Sequence, residues 1–244
     1  MRNLFGSVLE LLFPTACARC GDSAAGAVVC DACIRALPRL PLGGCPRCRT
    51  NAATAAGAPC APCSASRSSL CALVAQAPYE DEIERFVQRF KYPRRGLVGL
   101  EPAPEALVTW LLLAAAARIS RPAPDLVVPV PQHPAGLRRR GFNPAAVLAR
   151  ALARAERVRV EPRALERLRD GPSQTGLDRA ERRRNVANAF RAPHRVPAHI
   201  WLVDDVVTTG ATLDSAARAL RLAGARRVTG ICAARTPLRG REDA

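Results

Sequence analysis

Across residues 70–233 the hydrophobic positions gather into short apolar runs separated by amphipathic stretches. The runs at 70–77, 125–130, 199–203 and 227–233 are dominated by Val, Ile, Leu and Ala, the pattern of strands buried on both faces. The stretches at 79–90, 104–118, 143–155 and 212–223 read as helices, the first with acids in its opening turn. Strands alternating with helices predict an α/β domain built on a mainly parallel sheet covered on both faces. Ligands of such sheets sit beyond the carboxyl ends of the strands, which directs attention to residues 129–143 and 204–212.

The first quarter follows a different rule. Eight of the ten cysteines fall in C-x-x-C pairs: Cys17 and Cys20, Cys30 and Cys33, Cys45 and Cys48, Cys60 and Cys63. One such turn converges two thiolates on an ion, and a second completes a tetrahedral sulfur shell. Four pairs in so short a span predict two structural Zn²⁺ ions, against the alternative of disulfides. Few large apolar residues lie between them, so metal would supply the folding free energy. Sequential use would group the first four cysteines and the last four, and a crossed arrangement stays open. Cys71 and Cys232 lack partners at ligand spacing and read as core residues.

Residues 61–69 turn to Ser, Ala and Pro, marking a linker. The expected organisation is a short N-terminal helix and double zinc-ribbon module over residues 1–66, then the α/β domain over 67–244. Residues 4–13 suit an amphipathic helix better than an export signal, because Glu10 interrupts the apolar run. The run at 106–117 is too short to span a bilayer. A cytoplasmic protein with no membrane association is the expectation.

Charge narrows the partners. The 244-residue chain carries 37 Lys plus Arg against 21 Asp plus Glu, a formal charge of +16. Between residues 138 and 184, fourteen arginines face six acids. That balance favours phosphorylated ligands or nucleic acid. Aromatic residues at 4% count against a single-strand binder that stacks many bases, with Tyr79, Tyr92 and Phe142 the nearest candidates. Of these, Phe142 reads as the exposed one, and core packing suits Tyr79 and Tyr92 at least as well as stacking.

The most specific chemistry lies at residues 200–212. An apolar strand ends in Asp204-Asp205, and Val206-Val207-Thr208-Thr209-Gly210-Ala211-Thr212 leads into a helix. Two acids at a strand end can accept hydrogen bonds from a cis diol and help hold a divalent cation. The turn after them offers backbone N–H groups, hydroxyls and a helix N-terminus to a phosphate. Gly210 lets the backbone approach that anion closely. Diol and phosphate recognition a few residues apart fits a ribose 5-phosphate.

Residues 201–212 resemble the signature of type I phosphoribosyltransferases, which bind phosphoribosyl pyrophosphate (PRPP) with Mg²⁺. By that resemblance Asp204 and Asp205 contact the ribose, and Val207, Thr208, Thr209, Gly210, Ala211 and Thr212 surround the 5-phosphate. A broader resemblance runs along nearly the whole chain. The C-x-x-C pairs, Phe90-Lys91-Tyr92, Pro129-Val130-Pro131, Arg139-Arg140-Gly141-Phe142-Asn143, Gln174, Arg183 to Asn185, Ala189-Phe190 and the Asp204 motif occur in the order seen in the ComF competence family. That resemblance implies a type I phosphoribosyltransferase-like sheet behind a zinc-ribbon module, a role with external DNA, and a DNA-uptake helicase as partner. Arg138, Arg139, Arg140, Arg183 and Lys91 are the candidates for pyrophosphate or nucleic-acid contact.

No catalytic residue is legible. Thr208 stands where some purine transferases carry an acid, and the three histidines have no partner pattern for proton transfer. Three readings stay open: a single-stranded-DNA handling factor that holds PRPP, a transferase acting on an unknown acceptor, and a PRPP sensor without turnover.

Overall fold

The computed structural model describes residues 16–17, 19–24, 27, 29–40, 45, 58, 64, 68–93, 95–96, 99–100, 102–119, 122–168 and 189–237. In chain order, α1 (Asp31–Ala36) lies in the cysteine-bearing segment. Then come β1 (Ala72–Pro78), α2 (Asp81–Lys91), β2 (Arg95–Gly96), β3 (Gly99–Leu100) and α3 (Pro102–Ala116). Next are β4 (Leu126–Pro129), α4 (Pro134–Arg140), α5 (Pro144–Glu156), β5 (Arg159–Val160), β6 (Glu166–Arg167) and β7 (Phe190–Arg191). The chain closes on β8 (His199–Val207), α6 (Ala211–Leu222) and β9 (Arg227–Arg235).

The central sheet has the order β1-β9-β8-β4-β5 and is parallel at every pairing. Successive side chains along a strand point to opposite faces, and the core divides accordingly. Val74, Val127, Trp201, Val203 and Ile231 face α2, α3 and α5 through Ile83, Phe86, Leu107, Leu111, Leu148 and Leu152. Leu73, Val128, Leu202, Val228 and Cys232 face α6 through Leu213, Ala216 and Leu220. The α/β expectation therefore holds, with helices on both faces.

β4 and β8 are neighbours, yet the helices that follow them pack on opposite faces, α5 on one and α6 on the other. A crevice opens at the carboxyl ends of two parallel strands whose connections diverge in this way. Asp204, Asp205 and the loop after β4 lie at that end of the sheet.

Several elements depart from the sequence expectation. β8 does not stop at residue 203; it pairs with β9 as far as Val207↔Arg235, so both acids lie within the strand. The basic run at 138–140 is helical, started by Pro134 and stopped by Gly141 at φ 85°. Proline in the first turn and a left-handed glycine just past the end are the ordinary helix boundaries. Cys71 is exposed rather than in the core, with Arg221 Nη1 3.9 Å from its sulfur. Cys232 is buried as expected.

The cysteine segment touches the body of the protein. Cys17, Ala24, Val29, Cys33 and Leu37 share an apolar cluster with α2 and α3. Arg19 holds both Glu82 oxygens from Nε and Nη2, at 2.8 and 2.9 Å. Among the described residues no helix is long and apolar enough to cross a membrane.

Candidate functional site

The carboxyl edge of β8 carries the acids. Lys91, the last residue of α2, places Nζ 2.9 Å from Asp205 Oδ1, with side chains 19% and 10% exposed. Burial works against the lysine's charge, but Asp205's charge and hydrogen bond outweigh it and raise the Lys91 pKa. Asp204 is half-buried and accepts the backbone N–H of Asp205 at 2.9 Å. Burial and the neighbouring Asp205 charge push its carboxyl up to about 7, against the opposing pull of Lys91 and Arg167.

The turn after β8 has the expected form. Val207 is buried, Thr208 is exposed, and Thr209 to Thr212 are half-buried. Gly210 stands at the N-cap of α6 with φ 80°. Thr209 Oγ1 accepts the Ala211 N–H at 3.4 Å. Ser68 Oγ and the Ser69 N–H both donate to Asp214 Oδ1 at 2.7 Å, tying the chain before β1 to the first turn of α6. The arrangement offers a carboxylate pair, a hydroxyl-lined turn and first-turn N–H groups within one short segment.

The basic motif follows the end of β4, on α4. Arg138 and Arg139 are exposed on α4, and Arg140 is half-buried. Arg140 Nη2 donates to Tyr92 Oη at 2.8 Å, while its guanidinium carbon lies 4.8 Å from the centre of the Tyr92 ring. That hydrogen bond is the main cause of a lowered Tyr92 pKa. Asn143 caps α5 through the Ala145 N–H and donates to the Val130 carbonyl at 3.0 Å, fixing α5 against the end of β4.

For Phe142 and Tyr92 exposure is the reverse of the expectation, while Tyr79 packs against the core as expected. Phe142 is half-buried and meets Phe90 edge-on at 6.0 Å, whereas Tyr92 is 51% exposed. Tyr79 is half-buried and accepts from Gln88 Nε2. His133 Nδ1 accepts the Ala135 N–H as the cap of α4, and His199 sits at the amino end of β8, remote from the acids. Arg183 and Gln174 lie outside the described residues.

Two features of this edge have no counterpart in the sequence reading. One is the Arg140–Tyr92 pair, which only the fold brings together. The other is Arg235, 4% exposed at the carboxyl end of β9 in register with Val207. Its signal in the sequence is a charged residue closing an otherwise apolar strand.

The metal candidates divide by what is described. The ligand atoms of Cys17, Cys20, Cys30 and Cys33 all lie within 4.8 Å of one another. The sulfurs of Cys20 and Cys30 are 3.8 Å apart, the edge of a tetrahedron with bonds of about 2.3 Å, the Zn–S length. Burial raises the Cys17 thiol pKa, yet backbone N–H groups of Cys20, Cys30 and Arg19 outweigh that and hold it at about 6. N–H donors at 3.3 and 3.4 Å from this sulfur suit a thiolate ligand. The four cysteines fit a zinc ion, in the sequential grouping. Of the second set, Cys45 is buried, and Cys48, Cys60 and Cys63 lie outside the described residues.

No protein-family model matches the chain. It is 32% identical over 209 residues to DNA utilization protein YhgH of Escherichia coli K12, covering 85% of this chain and 90% of that protein. The YhgH protein of Salmonella typhi matches to the same extent. Competence protein F of Haemophilus influenzae is 29% identical over 158 residues, 62% of this chain and 66% of that one. Among solved structures, the glutamine PRPP amidotransferase from B. subtilis complexed with ADP and GMP aligns at a TM-score of 0.40 and 19% identity. That alignment covers 61% of this chain and 30% of the amidotransferase.

Proposed function

The chain belongs to the family of DNA utilization protein YhgH and competence protein F, and from that premise we propose that it handles DNA taken up from outside the cell. In this reading the crevice holds a phosphoribosyl ligand, PRPP with Mg²⁺. The arginines of α4 hold the backbone of single-stranded DNA beside it. The protein works in the cytoplasm, where a DNA-uptake helicase is the expected partner.

The observation that carries the reading is the succession Asp204, Asp205, Gly210 and α6 at the mouth of the crevice. Two carboxylates suit a ribose diol and offer the hard oxygens that Mg²⁺ takes. Gly210 and the first turn of α6 suit the 5-phosphate. Arg138 and Arg139 are exposed cations on α4, suited to pyrophosphate or a nucleic-acid backbone. Arg183 belongs to the same proposed contact set from the sequence resemblance.

Calorimetric titration with PRPP in the presence and absence of Mg²⁺ tests the ligand. Binding that disappears in the Asp204→Asn/Asp205→Asn variant supports the reading, and no heat with PRPP or ribose 5-phosphate rejects it. A pyrophosphate-release assay on the same samples, run with nucleobases, nucleosides and single-stranded DNA as acceptors, separates holding the ligand from turning it over. Release that depends on an added acceptor would replace the handling factor with a transferase.

A further inference from the structure

Core packing does not explain the position of Tyr92. It follows the last residue of α2, is 51% exposed, and belongs to neither apolar cluster of the core. Among the described residues it is the exposed large aromatic. Its ring is nonetheless held in place. The Arg140 guanidinium lies over it at 4.8 Å and also donates to its hydroxyl at 2.8 Å, so a residue 48 positions away fixes both ring and tip.

A ring that is covered on one side by a cation and half open to water is already ordered before any ligand arrives. A second planar group can stack on it without a further entropic cost for freezing the side chain. The surroundings suit a phosphate chain: Arg138 and Arg139 are exposed on the helix that supplies Arg140. Lys91, the residue before Tyr92, is turned instead to Asp205 and paired with it. An aromatic face among arginines that track a backbone is the arrangement that binds unpaired bases. A base inside a duplex is already stacked on both sides and cannot reach such a face.

We propose that the Tyr92–Arg140 pair is a stacking platform for one unpaired base of single-stranded DNA at the rim of the crevice. This rests on the single-strand reading above and adds a base contact to its backbone contacts. The platform is sequence-tolerant, because every base has a π-face.

Fluorescence anisotropy with two labelled strands of equal length, one oligothymidine and one wholly abasic, tests it on the full chain. The wild type is expected to bind the thymidine strand more tightly than the abasic one. Tyr92→Leu should weaken the thymidine strand about tenfold and leave the abasic strand unchanged, closing the gap. Tyr92→Trp should keep the gap open, with melting temperatures confirming that both variants fold. Equal binding of the two strands by the wild type, or an equal loss on both in Tyr92→Leu, overturns the platform alone. Failure of the wild type to bind either strand overturns the platform together with the single-strand reading.

Discussion

Lys91 Nζ lies 2.9 Å from Asp205 Oδ1, joining the end of α2 to the carboxyl end of β8 across the mouth of the crevice. The pair explains how β8 continues through two adjacent acids. A carboxylate inside a largely buried strand needs a compensating charge, and the lysine supplies it. The same contact fixes the start of the segment that carries Tyr92, so the acids and the aromatic rim are parts of one structure.

Removing one partner should therefore cost more than removing both. Lys91→Met is expected to destabilise the protein by about 2–3 kcal/mol, less than for a wholly buried pair because both side chains keep some exposure. Lys91→Met with Asp205→Asn should recover much of that loss. A denaturant-unfolding cycle over the four proteins measures the coupling.

The acids also give the stability a pH dependence. The Asp204 carboxyl is raised from an ordinary 3.8 to about 7, so the folded state binds a proton that the unfolded state releases. The stability tied to this group is present below about 3.8 and is lost as the pH rises through about 7. The melting temperature should fall across that interval, and Asp204→Asn should flatten the fall.

The cysteine cluster should carry metal. Elemental analysis of the purified protein is expected to find zinc, and Cys17→Ser should remove about one ion. The segment touches α2 through the Arg19–Glu82 pair and a shared apolar cluster, so the variant should also lower the melting temperature. Disulfides among Cys17, Cys20, Cys30 and Cys33 in place of metal would contradict the assignment.

Gly210 should not tolerate a side chain. Its φ of 80° is strained for any L residue, although space exists for a Cβ, with Val207 Cγ2 the nearest atom at 3.9 Å. Gly210→Ala is expected to cost about 1–2 kcal/mol from the backbone alone. Gly210→Val should in addition abolish stabilisation by PRPP, read as the loss of its melting-temperature shift.

Much of the sheet was legible because its strands are apolar on both faces and bounded by turns. The acids were recognised, but not their place inside β8. Aspartate disfavours a strand locally, and the β9 ladder and Lys91 that override this lie far away in sequence. The helix at Pro134–Arg140 was hidden by its composition, although Pro134 and Gly141 marked both ends. β5 is two residues long, too short to leave a periodic signal. Exposure of Phe142 and Tyr92 was inverted because Phe142 folds back on Phe90, a contact between residues 52 positions apart. The first cysteine set came together as the C-x-x-C spacing predicts, since each turn is a local structure.

Salt-dependent binding of single-stranded DNA tests the central claim most directly. Anisotropy titrations of a labelled strand at several salt concentrations, on the wild type and on Arg138→Ala/Arg139→Ala/Arg140→Ala, give the log–log slope for each. Each phosphate contact on a single strand contributes about 0.7 to that slope; Arg138 and Arg139 are free to make one each while Arg140 is engaged with Tyr92, so the triple change should flatten it by about 1.4. Tight binding at low salt and that flattening are expected, with the weakening equal for all sequences. No binding by the wild type at low salt, or a slope unchanged by removal of the three arginines, would contradict it.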